Sequence, residues 1–108
     1  MAYTREEVLR IVRTFRDAID GLVHPDRMIL FGSYAVGNAR DYSDIDVAVV
    51  SSEINDKNYF DLKKKIFKKA MELNSQLEPL CFSSEEFEND WLPIVPEIKR
   101  SGVEISGI

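Results

Sequence analysis

Residues 30–50 read LFGSYAVGNARDYSDIDVAVV. A short apolar run ends in Gly-Ser, and two aspartates then open the next apolar run. In a strand, alternate side chains share a face, so Asp44, Asp46, Ala48 and Val50 lie on one side and Ile45, Val47 and Val49 on the other. The two carboxylates then stand side by side, about 7 Å apart at their α-carbons. In a chain of net charge -5, acids paired within an apolar sequence call for a positive counterpart, and a metal ion fits best. Ligation by carboxylate oxygens alone suits Mg²⁺, which keeps some waters and accepts phosphate oxygens as further ligands. Gly32 and Ser33 supply the complementary half. A glycine at a strand end lets backbone approach a ligand, and a helix starting there turns unpaired amides toward a phosphate. No Gly-Lys-Ser/Thr follows, so this is not a P-loop.

At 108 residues, 44% hydrophobic and 31% charged, the chain is expected to form one domain over residues 1–108 with a single modest core. No apolar run approaches the roughly 20 residues that cross a bilayer. The charged stretch MAYTREEVLR is not patterned as a secretory signal. One cysteine, Cys81, precludes an internal disulfide and fits a reducing cytoplasm. The acidic balance argues against broad nucleic-acid binding through phosphates.

Thr4 and Glu7 have capping-box spacing. Val8, Ile11, Val12, Phe15, Ile19 and Leu22 follow as one helical stripe, ended by Gly21 and His24-Pro25. Met28 to Phe31 reads as a buried strand, with a turn and short helix through Ala35. Asp44 to Val50 reads as the second strand. A helix from about Tyr59 to Leu73 is expected to bury Phe60, Ile66, Phe67, Ala70 and Met71, leaving Lys63, Lys64, Lys65, Lys68 and Lys69 on other faces. Gln76 to Phe82 reads as the third strand. Ser83 or Ser84 caps a further short helix, Leu92 to Arg100 is helical, and Val103 to Ile105 is a final strand. The order α-β-β-α-β-α-β predicts an α/β (α+β) fold with a small mixed sheet flanked by helices.

A third acid is expected from another strand, to hold metal or take a proton. Glu78 in QLEPLCF is the candidate, ahead of Asp41 in its loop. Among the remaining residues, Tyr34 has two readings, a base-stacking ring or a packing residue of the turn. His24 is expected to face solvent and Cys81 to pack as a small apolar side chain; Trp91 has two readings, covering an edge of the core or meeting a partner, and the first is the one expected. The lysine-rich helix reads as a solvated face; an acidic partner or RNA is the candidate if it binds anything.

GSYAVG followed by SDIDVAVV resembles the signature of the nucleotidyltransferase superfamily that includes DNA polymerase β and kanamycin nucleotidyltransferase. The short chain is most similar to the minimal nucleotidyltransferases, prokaryotic proteins commonly encoded beside a HEPN-domain partner as a toxin–antitoxin pair. The strong match covers residues 30–50. By this resemblance Gly32 and Ser33 hold the nucleotide phosphates, Asp44 and Asp46 bind Mg²⁺, and Glu78 is the third acid. The implied reaction moves AMP from ATP to a hydroxyl, a tyrosine of the HEPN toxin, with release of pyrophosphate. Family members often read GSxARG, whereas Val36 stands at the arginine position here; Arg40 is the substitute cation in the same loop. Larger relatives carry extra domains that hold the acceptor, so a minimal site is expected to be completed by another subunit in a homo- or hetero-oligomer. Two other functions fit the residues. One is a binding module that neutralises its partner by masking, with a decayed site. The other is a nucleotidyltransferase acting on a small molecule or RNA.

Overall fold

A computed structural model describes residues 2–105. Helix α1 (Arg5–Ile19) starts at the anticipated box: the Glu7 amide donates to the Thr4 hydroxyl (3.2 Å) and the Thr4 amide donates to a Glu7 carboxylate oxygen (2.8 Å). Val8, Val12, Phe15 and Ile19 form its buried stripe. Strand β1 (Arg27–Phe31) runs through Gly32 into a single turn of helix, α2 (Ser33–Val36). Strand β2 (Ile45–Ser51), helix α3 (Tyr59–Leu73) and strand β3 (Leu77–Ser83) follow. Helices α4 (Ser84–Asn89) and α5 (Ile94–Ser101) then lead to β4 (Val103–Glu104). A second capping box, Ser83 with Glu86, opens α4.

The sheet order is β3-β2-β1-β4. The β1 strand pairs antiparallel with β2 and with β4, whereas β2 and β3 run parallel through the α3 crossover. The sheet is therefore mixed and small, as the alternation of elements predicts. The amide of Ile105 still donates to the Met28 carbonyl, extending the last pairing by one bond.

Both faces of the sheet are covered. Ile45, Val47 and Val49 point into a core shared with α1 and with Ile66 and Ala70 of α3. Ala48 and Val50 point the other way, into a smaller core with Phe82, Phe87 of α4 and Val95 and Ile98 of α5. The strand alternation read from the sequence thus fixes which face carries Asp46.

Four large side chains expected in the core are exposed instead: Phe60 (73%), Phe67, Met71 and Trp91 (68%). Helix α3 carries two apolar stripes, and only the one with Ile66 and Ala70 meets the sheet. β3 is an edge strand, so among the described residues no further strand supports the flank bearing Phe60 and Phe67. Trp91 sits in the turn between α4 and α5, outside both cores.

Candidate active site

The β2 register brings the acids together. Asp46 lies opposite Phe31 of β1 on one side and Glu78 of β3 on the other. Partners across neighbouring strands are separated by about 4.8 Å in the hydrogen-bonding direction, and paired residues share a face. Asp44 precedes the strand by one residue and continues the same alternation. The expected trio therefore occupies one face of adjacent parallel strands at their N-terminal ends. Asp46 is half-buried, whereas Asp44 and Glu78 are exposed. Burial, and then the charges of Asp44 and Glu78, push the Asp46 carboxyl up to about 6. Among the described residues none of the three acids takes part in an ion pair.

Gly32 is shaped by the same carboxylate. Its φ is +75°, and a Cβ there would stand 2.2 Å from Asp46 Oδ2. Two separate constraints, handedness and space, thus demand glycine. Its carbonyl accepts from the Ala35 and Val36 amides, and the Ser33 carbonyl accepts from those of Gly37 and Asn38, closing the α2 turn beside Asp46. Tyr34 anchors that turn rather than offering its ring. It is buried, its hydroxyl accepts from the Tyr3 amide (3.2 Å), and its ring lies 6.3 Å from that of Tyr3. Of the two readings of Tyr34, packing is the one the structure takes.

The loop that delivers Asp44 is held from both sides by a residue the sequence reading passed over. The Gln76 side-chain amide donates to the Ser43 carbonyl (2.9 Å), and the Gln76 carbonyl accepts from the Ile45 amide (2.7 Å). Residues immediately before and after Asp44 are thereby tied to the strand that carries Glu78. The available signal was periodic: Gln76 stands two residues before Glu78, immediately ahead of the same strand. Ser43 also accepts from the Arg40 amide through its hydroxyl (2.8 Å). The Arg40 side chain is exposed and forms no ion pair among the described residues. Val36 is 55% exposed, so the position where an arginine was expected faces solvent beside the site.

Residues 16–91 match the family described as "Polymerase beta, Nucleotidyltransferase". The chain belongs to this nucleotidyltransferase family. The matched stretch contains Gly32, Asp44, Asp46 and Glu78. The nucleotidyltransferase is also 29% identical over 101 residues to a protein of Methanocaldococcus jannaschii named "Putative protein adenylyltransferase MJ0141", over 92% of this chain and 99% of that protein. Enzymes of the family generally use a nucleoside triphosphate and a divalent metal. The donor chemistry of this nucleotidyltransferase fits such a group: three carboxylates on one face, with the innermost made a weaker acid by burial and then by the charges of its neighbours. Among the described residues no three such side chains already converge on one point. The backbone supplies the register, and coordination at about 2.1 Å requires the side chains to turn inward.

Other reactive candidates are quiet. Cys81 is buried, and burial pushes its thiol up to about 11, far from a usable thiolate. His24 is exposed as expected and faces Asp20 at 3.4 Å, away from the acids. No helix among the described residues is long and apolar enough to cross a membrane.

Proposed function

We propose that this nucleotidyltransferase transfers AMP from ATP to a hydroxyl of a protein, with Asp44, Asp46 and Glu78 as its working acids. One observation carries the reading: Asp46 is paired in register with Glu78, on the face Asp44 shares, and its carboxylate occupies the space that a side chain on Gly32 would need. Asp44, Asp46 and Glu78 would hold Mg²⁺. The metal, when bound, neutralises triphosphate charge and favours in-line displacement. Gly32 and Ser33 line the phosphate side and Arg40 is the nearest loop cation. The acceptor oxygen bonds to the α-phosphorus of ATP and the bond from that phosphorus to the bridging oxygen breaks. Pyrophosphate leaves with the electron pair, and the hydroxyl proton passes to the Glu78 carboxylate. Most of the acceleration is then positioning and electrostatics.

Adenylyl transfer to a protein is supported by the name of the M. jannaschii relative. The resemblance to minimal nucleotidyltransferases adds a tyrosine of a HEPN-domain toxin as the acceptor, within a cytoplasmic hetero-oligomer in which this chain is the antitoxin. A second reading, neutralisation by masking, is favoured by the exposed Val36, which puts an apolar side chain where the family arginine stands, and by Arg40, which is exposed and forms no ion pair among the described residues. Calorimetric titration of ATP with Mg²⁺ into wild type and into Asp44→Asn/Asp46→Asn separates the two. Metal-dependent binding that the double variant lacks supports transfer, and radiolabelled ATP with the candidate partner then reads the acceptor. Absence of binding by folded wild type with that partner present leaves masking.

A further inference from the structure

Two exposed apolar surfaces of opposite charge lie on different parts of this molecule. On α3, Phe60, Phe67 and Met71 recur at helical spacing on the flank turned away from the core. Phe60 and Phe67, with Pro79 of the edge strand, line an open groove of about 390 Å³ rimmed by Lys63 and Lys64. Lys64, Lys68 and Lys69 form no ion pair among the described residues. Pro79 has no amide hydrogen to offer at the edge, so the groove suits an inserted side chain better than an added strand.

The second surface is the turn from α4 to α5, where Trp91, Leu92, Pro93 and Ile94 are exposed in succession. Asp90 shapes this turn in the left-handed region (φ 55°) and is tied to Lys99. Glu85 and Glu88 of α4 are exposed and form no ion pair among the described residues. A large flat ring on an acidic support thus projects from the same chain that carries an apolar groove rimmed by lysines. Burying either surface alone against another protein leaves the other unexplained. One contact between copies covers both and pairs their charges.

We propose that the chain self-associates head to tail, the Trp91–Ile94 turn of one copy seating in the Phe60–Phe67–Pro79 groove of a second copy. Such a contact is heterologous, so it closes into a ring or grows into a chain. It uses neither Asp44, Asp46 nor Glu78 and does not rest on the proposed reaction.

Sedimentation velocity of the full chain over a wide concentration range tests this. Wild type should grow in mass with concentration, and added salt should oppose the growth. Trp91→Ser and Phe60→Ser each change an exposed side chain, so unchanged melting confirms folding. Each should weaken association by about tenfold or more. Mixing the two variants is the decisive arm. Each retains one intact surface, so together they should form a one-to-one complex that stops at the dimer. A wild type that stays monomeric throughout, including one that captures only a different acidic protein, overturns the proposal. So does association that ignores both substitutions, or a mixture that fails to pair.

Discussion

Along β2 and β3 the same face of the sheet carries Asp46 beside Glu78 at one end and Val50 beside Phe82 at the other. The two ends are four residues apart on identical strands, yet they are finished in opposite ways. At the apolar end, Phe87 of α4 and Val95 and Ile98 of α5 close over the strands, with the Phe82 and Phe87 rings 5.8 Å apart. At the acidic end Asp44 and Glu78 are exposed, and the innermost carboxylate is held in a weakly acidic state. The contrast separates what stabilises this fold from what its chemistry requires. One end gains free energy by losing water; the other keeps charge together at an electrostatic cost that a cation would relieve.

Substitution at each end should therefore dissociate stability from activity, and the largest effects are expected here. Phe87 is almost fully buried, so Phe87→Ala should cost about 3–5 kcal/mol in denaturant unfolding while nucleotide transfer per folded molecule persists. Asp46→Asn should do the reverse: a loss of transfer on the order of 10³-fold with no loss of stability at neutral pH. Equal losses in both measurements for both variants would erase the distinction between the two ends.

Gly32 lies where the contrast is sharpest, because its missing side chain is what gives the Asp46 carboxylate room. Gly32→Ala should cost about 1–2 kcal/mol through its positive φ alone. Divalent-metal-dependent nucleotide affinity should fall on the order of tenfold or more, because Asp46 must move. Calorimetry beside a chemical melt reads both quantities. A variant that loses stability and keeps its full affinity would show that Asp46 does not need the position it occupies here.

Much of this arrangement was legible in the sequence, and for a common reason. Local periodicity assigns Asp44 and Asp46 to one face, Thr4 and Glu7 to a capping box, and the apolar stripe of α1 to the core. Glu78 was legible as an acid near the head of a third strand, although its pairing with Asp46 needed the parallel register. What periodicity cannot report is which of two apolar stripes meets the sheet. Phe60, Phe67 and Met71 are exposed because β3 lies at the sheet edge, a fact of topology rather than of any local pattern. Trp91 went the same way, since nothing in its neighbours says that the α4–α5 turn projects. Gln76 was missed because its bonds to Ser43 and Ile45 join segments distant in sequence.

The smallest expected effect tests the electrostatic half of the comparison without any ligand. The folded-state pKa of Asp46 lies at about 6, above its ordinary value of 3.8. Between these values the native chain holds a proton that the unfolded chain releases. The contribution of this group to stability is therefore fully present below about pH 4 and is lost as pH rises through 6. Because the side chain is only half-buried, solvent screening reduces the loss to about 1 kcal/mol. Asp46→Asn removes this titration, so its stability relative to wild type should rise by that amount between pH 4 and 7 and then stay level. Unfolding midpoints across the range read the difference directly. A flat difference would mean that Asp46 ionises as freely as an exposed aspartate, and that the acidic end is not under the strain that sets it apart from its apolar neighbour.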